Sequence, residues 1–319
     1  MGLCDFWHDH LVDPETLLSV VVPVYQSSGT LEELTERIAR SVGTDSLELI
    51  LVDDSSADGT WATVEALSSK YSWVRGIRLG RNSGQHAALL AGVRAATNPL
   101  IVTIDDDLQN PPEEIPKLIE TLQRTGADVV YGVPRDPAHA GWRKGSGWLV
   151  RKSMKAVLGV KEVVHMSSFR IFRTDLRNAF DVRLGPGVSL DALLAWGASN
   201  FQTVTVDHNP RQEGKSHYSL RKLWRFAIDT ITGYTTVPLQ AVSALGFITA
   251  GIGILLMIAF VLVPFVRGIS VQGFPFLAST IILFSGIQLI TLGVVSEYLA
   301  KMHFRIMNKP EYVVAEETK

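Results

Sequence analysis

The stretch LIVTIDDDLQNPPEE, residues 100–114, decides how this chain is read. An apolar run from Leu100 to Ile104 ends abruptly in three acids, Asp105, Asp106 and Asp107. Gln109 follows, and Pro111 and Pro112 then open a helix. Apolar-then-acidic is the pattern of a buried parallel strand that delivers carboxylates to the carboxyl edge of a sheet, where open α/β folds bind ligands. Three adjacent carboxylates repel one another, so a positive group is expected beside them. A hard divalent cation carrying phosphates meets that need, because Mg²⁺ typically uses one or two protein carboxylates plus substrate phosphates. The alternative is a solvated acidic turn capping a helix.

The flanking sequence favours the sheet edge. Residues 18–25, LSVVVPVY, form a β-branched run, and Leu31, Leu34, Ile38 and Val42 then recur at helical spacing. A second strand, 47–52, runs into DDSSADGT at 53–60, where Asp58 is placed to cap the helix carrying Val64 and Leu67. A third strand, 74–79, ends in GRNSGQH, and an alanine-rich helix follows to about Ala96. The acidic strand is fourth; a helix over 112–124 and a strand over 128–133 complete the alternation. Strands alternating with helices of this length predict a parallel sheet with helices on both faces. Four strand exits in a row are polar, at Tyr25-Gln26, Asp53-Asp54, Arg81-Asn82 and Asp105–Asp107, which describes a site on one edge.

Beyond residue 133 the pattern loosens into a loop with Arg135, Arg143 and Lys144, then a basic helix with Arg151, Lys152 and Lys155. Strands are expected over 166–173 and 201–206, and helices over 174–180 and 189–198. A basic loop, RQEGKSHYS, follows at 211–219; a solvated face is the plain alternative for these cations.

The totals bound the class. The chain has 319 residues, enough for two units, and a net charge of -2, which gives no pull toward nucleic acid. Its one cysteine, Cys4, rules out an internal disulfide framework. His8 and His10 beside it have no second ligand pair at zinc spacing, so residues 1–17 read as a lead-in, without the basic flank and apolar core of a secretory signal. Mean hydropathy is +0.18, and the apolar excess is concentrated after Val237.

Residues 237–266 and 274–296 form two apolar runs without a charged residue in the first. Each exceeds the roughly 20 residues that cross a bilayer core, so they predict a transmembrane hairpin. Gly246, Gly251 and Gly253 suit close helix packing. Just before it, 219–236 reads as an amphipathic helix in the membrane interface, with Arg221, Lys222 and Arg225 toward headgroups. Basic residues flank the outer ends, Lys301, Arg305 and Lys309 included, while only Arg267 lies in the connecting loop. The positive-inside rule then puts both termini and the α/β domain on the cytoplasmic face of the membrane. The expected layout is a domain over 18–218, the interfacial helix, the hairpin over 237–299 and a tail over 300–319.

Five motifs in order carry a resemblance: Pro23-Val24-Tyr25, DDSSADGT at 53–60, RNSGQHAALLAG at 81–92, DDDLQNPPEEIP at 105–116 and RQEGKSHYS at 211–219. Together they resemble the inverting family 2 glycosyltransferases, and among them the polyprenyl-phosphate sugar transferases. Dolichyl-phosphate mannose synthase, bactoprenol glucosyltransferases and undecaprenyl-phosphate aminoarabinose transferases are of this kind. The resemblance implies a GT-A-like, Rossmann-related and mostly parallel sheet domain, anchored by the hairpin. It also implies transfer from a nucleotide-sugar donor, UDP-linked by the bacterial pattern, to undecaprenyl or another polyprenyl phosphate. A homo-oligomer, tetramers included, is compatible with it.

Residue by residue, the resemblance assigns Pro23, Tyr25, Asp53 and Asp54 to the nucleotide. Asp105 also faces the nucleotide, with Asp106 in the variable middle position, and Asp107 with Gln109 holds Mg²⁺ or Mn²⁺. Arg135, Arg143 and Ser146 fall where the family binds the acceptor phosphate, and Arg211 where an arginine closes over the donor phosphates. The chain departs from the pattern twice. Ser167 and Ser168 stand where some relatives carry an acid, and His217 where many have lysine. The competing readings are a processive polysaccharide synthase, whose Q-x-x-R-W motif is not found, and a catalytically idle membrane scaffold or flippase partner, which the intact acids oppose.

Overall fold

The computed structural model describes residues 16–135, 167–180, 189–209, 237–267, 273–307 and 310–318. The chain forms two compact units, Met1–Leu220 with Asn308–Lys319, and Arg221–Met307.

The first unit is built on an eight-stranded sheet. Its strands are β1 (Leu18–Val24), β2 (Leu47–Asp53), β3 (Val74–Leu79), β4 (Leu100–Thr103), β5 (Val129–Pro134), β6 (Arg170–Arg173), β7 (Phe201–Val206) and β8 (Val314–Glu317), in the order β7-β5-β6-β4-β1-β2-β3-β8. β1 runs parallel to β2 and β4, β2 to β3, and β5 to β7. The expected parallel sheet is in fact mixed. β6 runs antiparallel between β4 and β5, and β8 antiparallel along β3. The short crossovers that impose parallel pairing join β1 to β4; β6 follows a long connection and is released from that constraint. Regular strand there begins only at Arg170, later than the expected 166. The C-terminal segment read as a tail contributes β8 to the sheet.

Alternation along the strands sorts the core into two layers. Val20, Val22 and Val24 face α1 (Leu31–Val42), α2 (Thr60–Lys70) and α4 (Ile115–Thr125), through Leu34, Ile38, Val64 and Leu118. Val21, Ile50 and Val52 face α3 (Gln85–Ala95) and α5 (Leu190–Gly197), through Ala88, Val93 and Leu193. Burying both faces in this way is what keeps the inner strands apolar throughout. Gly92 lets α3 settle close: a Cβ there would lie 2.3 Å from Cγ1 of Val21 and 3.1 Å from Cγ2 of Val52. The helix expected from Pro112 starts as a 3₁₀ turn, Pro112–Glu114, and becomes α-helical at Ile115. Residues Thr174–Phe180 are likewise 3₁₀.

The second unit contains α6 (Val237–Arg267) and α7 (Phe274–Ile306), of 31 and 33 residues, packed together where Gly253 meets Phe284. Phe247, Leu255, Leu289 and Ile290 on them are exposed. Among the described residues no helix is long and apolar enough to cross a membrane. Many side chains of both helices, those of 259–267 among them, lie outside the described residues. The reading of these helices as a transmembrane hairpin therefore rests on the sequence.

Candidate active site

The exits of β1, β2, β3 and β4 share one edge because these strands are parallel. The acids from 105 to 107 leave β4 there, and Leu108 then turns with a positive φ of 57°. Each carboxylate is held differently. The two oxygens of Asp105 accept from Nε2 of Gln85 (2.7 Å), at the start of α3, and from Oγ of Ser168, just before β6. Asp106 turns the other way, toward the β1 exit. Its Oδ2 accepts from Oγ of Ser27 (2.5 Å) and the backbone N–H of Tyr25 (3.2 Å), while its carbonyl accepts from Oγ1 of Thr30 (2.9 Å). Asp107 accepts from the backbone N–H of Gln109 at 3.2 Å.

Burial raises the carboxyls of Asp105 and Asp106 above the ordinary range, that of Asp106 to about 6, with their neighbouring like charges adding to it and the hydrogen bonds opposing it.

The acids at the end of β2 serve the same edge. Asp54 accepts from the backbone N–H groups of Ser83 (2.7 Å) and Gly84 (2.8 Å), which anchors the loop before α3 at the helix N-terminus, where a carboxylate is favoured. Gly84 has a φ of 93° that a side chain would strain. Burial also pushes the Asp54 carboxyl up, against those two hydrogen bonds. Asp53 is fully buried; its Oδ1 accepts from the N–H of Ser56 (3.1 Å) and its Oδ2 lies 3.6 Å from Nε of Arg78. Asp58 accepts from the N–H of Thr60 at 3.1 Å, so it turns the chain into α2 from one residue before the cap, Gly59.

Of the other expected residues, Pro23 is buried beside the exposed Tyr25. Arg135 stands at the β5 exit, exposed, 4.0 Å from Asp207 at the β7 exit. The chain after β7 meets the acidic loop directly, since the N–H of Asn209 donates to the carbonyl of Gln109 at 2.8 Å. Arg143, Ser146 and Arg211 lie outside the described residues.

Behind the acids lies a buried polar cluster that sequence reasoning missed. Arg170 on β6 is 1% exposed. It donates through Nε to Oγ1 of Thr103 (3.0 Å) and through a guanidinium nitrogen to Oδ1 of Asp191, which also accepts from the Tyr131 hydroxyl at 3.1 Å. Thr103 in turn donates to the carbonyl of Ser168 at 2.6 Å, so the cluster holds the residue that clamps Asp105. Its signal was the arginine between two apolar residues in FRIF. Phe172 lies on the same side of the strand as Arg170, so both faces are apolar and the cation must meet an acid inside. Gln85 and Ser27 gave no comparable signal, being ordinary polar residues at helix and loop starts.

The clamped carboxylates supply hard oxygen donors, the kind that suit Mg²⁺ or Mn²⁺. Among the described residues no three histidine, cysteine or acidic side chains converge as a complete metal site. A site of one or two protein ligands, completed by substrate phosphates, fits this arrangement.

Comparison with known proteins agrees with the geometry. The sequence profile described as glycosyl transferase family 2 matches residues 19–180. An undecaprenyl-phosphate 4-deoxy-4-formamido-L-arabinose transferase of Aeromonas hydrophila subsp. hydrophila is 33% identical over 307 residues, 93% of each chain. One of Shewanella sediminis is 33% identical over 314 residues, 96% of this chain and 93% of its own. Among solved structures, glucosyl-3-phosphoglycerate synthase of Mycobacterium tuberculosis with Mn²⁺, UDP and phosphoglyceric acid superposes with a TM-score of 0.52 at 21% identity, covering 69% of this chain and 77% of that one. The same enzyme with Mg²⁺ and UDP gives 0.51 at 19%, covering 69% and 78%. At that identity the likeness is one of fold, and it makes the mixed sheet a GT-A-like domain. With the profile spanning the sheet from β1 through β6 and the relatives matching nearly end to end, this chain belongs to glycosyl transferase family 2 and is a glycosyltransferase.

Proposed function

We propose that the protein transfers a sugar, with inversion, from a nucleotide-sugar donor to undecaprenyl or a related polyprenyl phosphate at the cytoplasmic face of a membrane. The observation that carries the proposal is the meeting of Tyr25, Asp53-Asp54 and Asp105–Asp107 on one sheet edge, in a chain that matches undecaprenyl-phosphate sugar transferases over nearly all its length. In this reading Pro23, Tyr25, Asp53 and Asp54 address the nucleotide directly or through the loops they hold. UDP is the favoured nucleotide, on the bacterial pattern.

Asp107 and Gln109 are the residues that would hold Mg²⁺ or Mn²⁺; when bound, the ion neutralises charge on the departing nucleoside diphosphate. The protein's own groups do the positioning. Gln85 and Ser168 fix Asp105 at the strand end, and Ser27 and Tyr25 fix Asp106, so neither carboxylate needs to reorganise when the donor arrives. The acceptor phosphate is already anionic and needs no strong base. One of its oxygens attacks the anomeric carbon in line; that C–O bond forms as the bond to the diphosphate oxygen breaks, which inverts the centre. Arg135 at the edge, with Arg143 and Ser146, are the proposed acceptor-phosphate contacts. Arg211, two residues after the Asn209 that bonds to the acidic loop, is the proposed cation over the donor phosphates.

The apolar helices α6 and α7 are the proposed membrane hairpin, which would tether the protein to the bilayer that carries a lipid phosphate. The long exposed aliphatic and aromatic side chains on them support this, since soluble surfaces rarely display so many. A donor screen with the purified full-length protein, reading label transferred from nucleotide-sugars into the lipid phase, tests the reaction. Asp107→Asn is expected to lower metal-dependent transfer at least about a hundredfold. Undiminished transfer removes Asp107 from the metal role.

A further inference from the structure

The buried carboxylate at the end of β2 reaches, through two side chains, the far C-terminus of the protein. Asp53 is fully buried, and among the described residues its Oδ2 has no hydrogen-bond partner. Its countercharge is Arg78, its cross-strand neighbour on β3, with Nε at 3.6 Å. Arg78 is itself held by the C-terminal strand: its guanidinium donates to Oε1 of Glu316 on β8 at 2.9 Å. The other oxygen of Glu316 accepts from Nε1 of Trp61 at 3.1 Å, and the Arg78 guanidinium lies 5.8 Å from the centre of the Trp61 ring. Glu316 thus uses both oxygens to fix one guanidinium against one aromatic face. On the other side, Asp53 accepts from the N–H of Ser56, whose Oγ accepts from the N–H of Gln26 at 3.0 Å. Gln26, at a positive φ of 56°, adjoins the Tyr25 whose N–H binds Asp106.

We infer that Glu316 on the C-terminal strand is a positioning residue for the donor nucleotide site, acting through Arg78 on Asp53. Arg78 is partly exposed, and without Glu316 its long side chain gains conformations in solvent that leave the buried Asp53 without its countercharge. The loop after β2, whose Ser56 holds Gln26 in the loop after β1, then loses the anchor that fixes Tyr25. The neighbouring residue, Glu317, pairs instead with Arg75, which donates to the carbonyl of Ala95 on the opposite side of the strand. It has no such connection. The inference rests on the reading of Asp53 and Tyr25 as nucleotide contacts.

The test is calorimetric titration of the full-length protein in detergent with UDP, and separately with GDP, in the presence of MnCl₂. Glu316→Gln is expected to weaken binding of the preferred nucleotide about threefold to tenfold, the scale of one charge-assisted hydrogen bond on a partly exposed cation. Glu317→Gln, which breaks an equivalent ion pair on the same strand, is expected to stay within about twofold of wild type. Equal losses in both variants, or none in Glu316→Gln, overturn the inference, because a strand that merely stabilises the sheet does not distinguish the two. If Glu316→Gln does not fold, Arg78→Lys puts the same question, since an ammonium cannot span Asp53 and Glu316 at once. Unchanged affinity in that variant also overturns it. Asp53→Asn separates the layers. If it leaves affinity unchanged, or if wild type binds neither nucleotide, the donor-site reading fails and takes the inference with it. If it weakens binding while Glu316→Gln does not, the inference alone fails.

Discussion

Asp105, Asp106 and Asp107 are adjacent in the chain, yet they face three different sets of donors, and that division gives each a different sensitivity. Asp106 is held above its unfolded value, at about 6. The folded protein therefore binds this proton more tightly than the unfolded chain does. The stability so gained is complete below about pH 4 and is lost as the pH rises through about 6, at most ~3 kcal/mol. In chelator-treated protein, Asp106→Asn is expected to melt increasingly above wild type as the pH climbs through that window, as thermal scans at stepped pH will show. A constant difference across the window counts against a raised Asp106. Asp105 is gripped on both oxygens, so loosening one grip is expected to cost catalysis more than folding. Ser168→Ala should lower turnover about tenfold, a single lost hydrogen bond to a charged group, with little change in melting temperature. Arg170→Met behaves in the opposite sense. It leaves the Asp191 carboxylate, 17% exposed, without its cation, and a loss of about 3 kcal/mol in unfolding free energy is expected by denaturant titration.

The elements explain which of these features were legible before the structure. β1 to β4 and their helices announce themselves through alternation and through polar exits. The DDD run after LIVTI needed only the parallel-strand rule to be placed on an edge. Ser168, Arg170 and Glu316 were not placed, because their roles depend on pairings no local pattern encodes. β6 slips antiparallel between β4 and β5, so that Arg170 stands opposite Thr103 and Tyr131. β8 has only four residues, all exposed by residue area, and reads as tail by composition. Its membership comes from cross-strand contacts: Arg75 and Arg78 meet Glu317 and Glu316, and the N–H of Gly76 donates to Oγ1 of Thr318 at 2.7 Å. The close seat of α3 was likewise hidden in an alanine-rich helix. Gly92→Ala puts a methyl group into space already filled by Val21 and Val52, and overpacking of this kind is expected to cost about 1–3 kcal/mol. A fall in melting temperature with unchanged donor preference would be the signature. A neutral substitution would mean that α3 can lift from the sheet without cost.

At the scale of the whole molecule, the question is what a hydrophilic sheet edge, the proposed nucleotide site, gains from two long apolar helices. At 1.5 Å per residue, α6 and α7 are each about 45–50 Å long, against a bilayer hydrocarbon core of about 30 Å. The length alone exceeds that core, while the proposed crossing rests on the apolar runs of the sequence, and α7 carries Lys301 and Arg305 in its last turns. The basic residues of 221–225 precede α6 in the same sense. In the proposed hairpin two crossings would return the chain to the side it left, as the pairing of β8 with β3 inside the first unit requires of any membrane path between them. Charge bias and sheet topology are independent supports for the proposal that the two ends of the hairpin lie on one face. The expected outcome is that the native chain stays in the membrane pellet through high-salt and alkaline washes. A reporter joined after Lys319 should be active only on the cytoplasmic side. Release by alkaline wash would remove the hairpin from the membrane. A reporter outside the cell would instead mean an odd number of crossings, which would separate β8 from β3 and contradict the sheet itself.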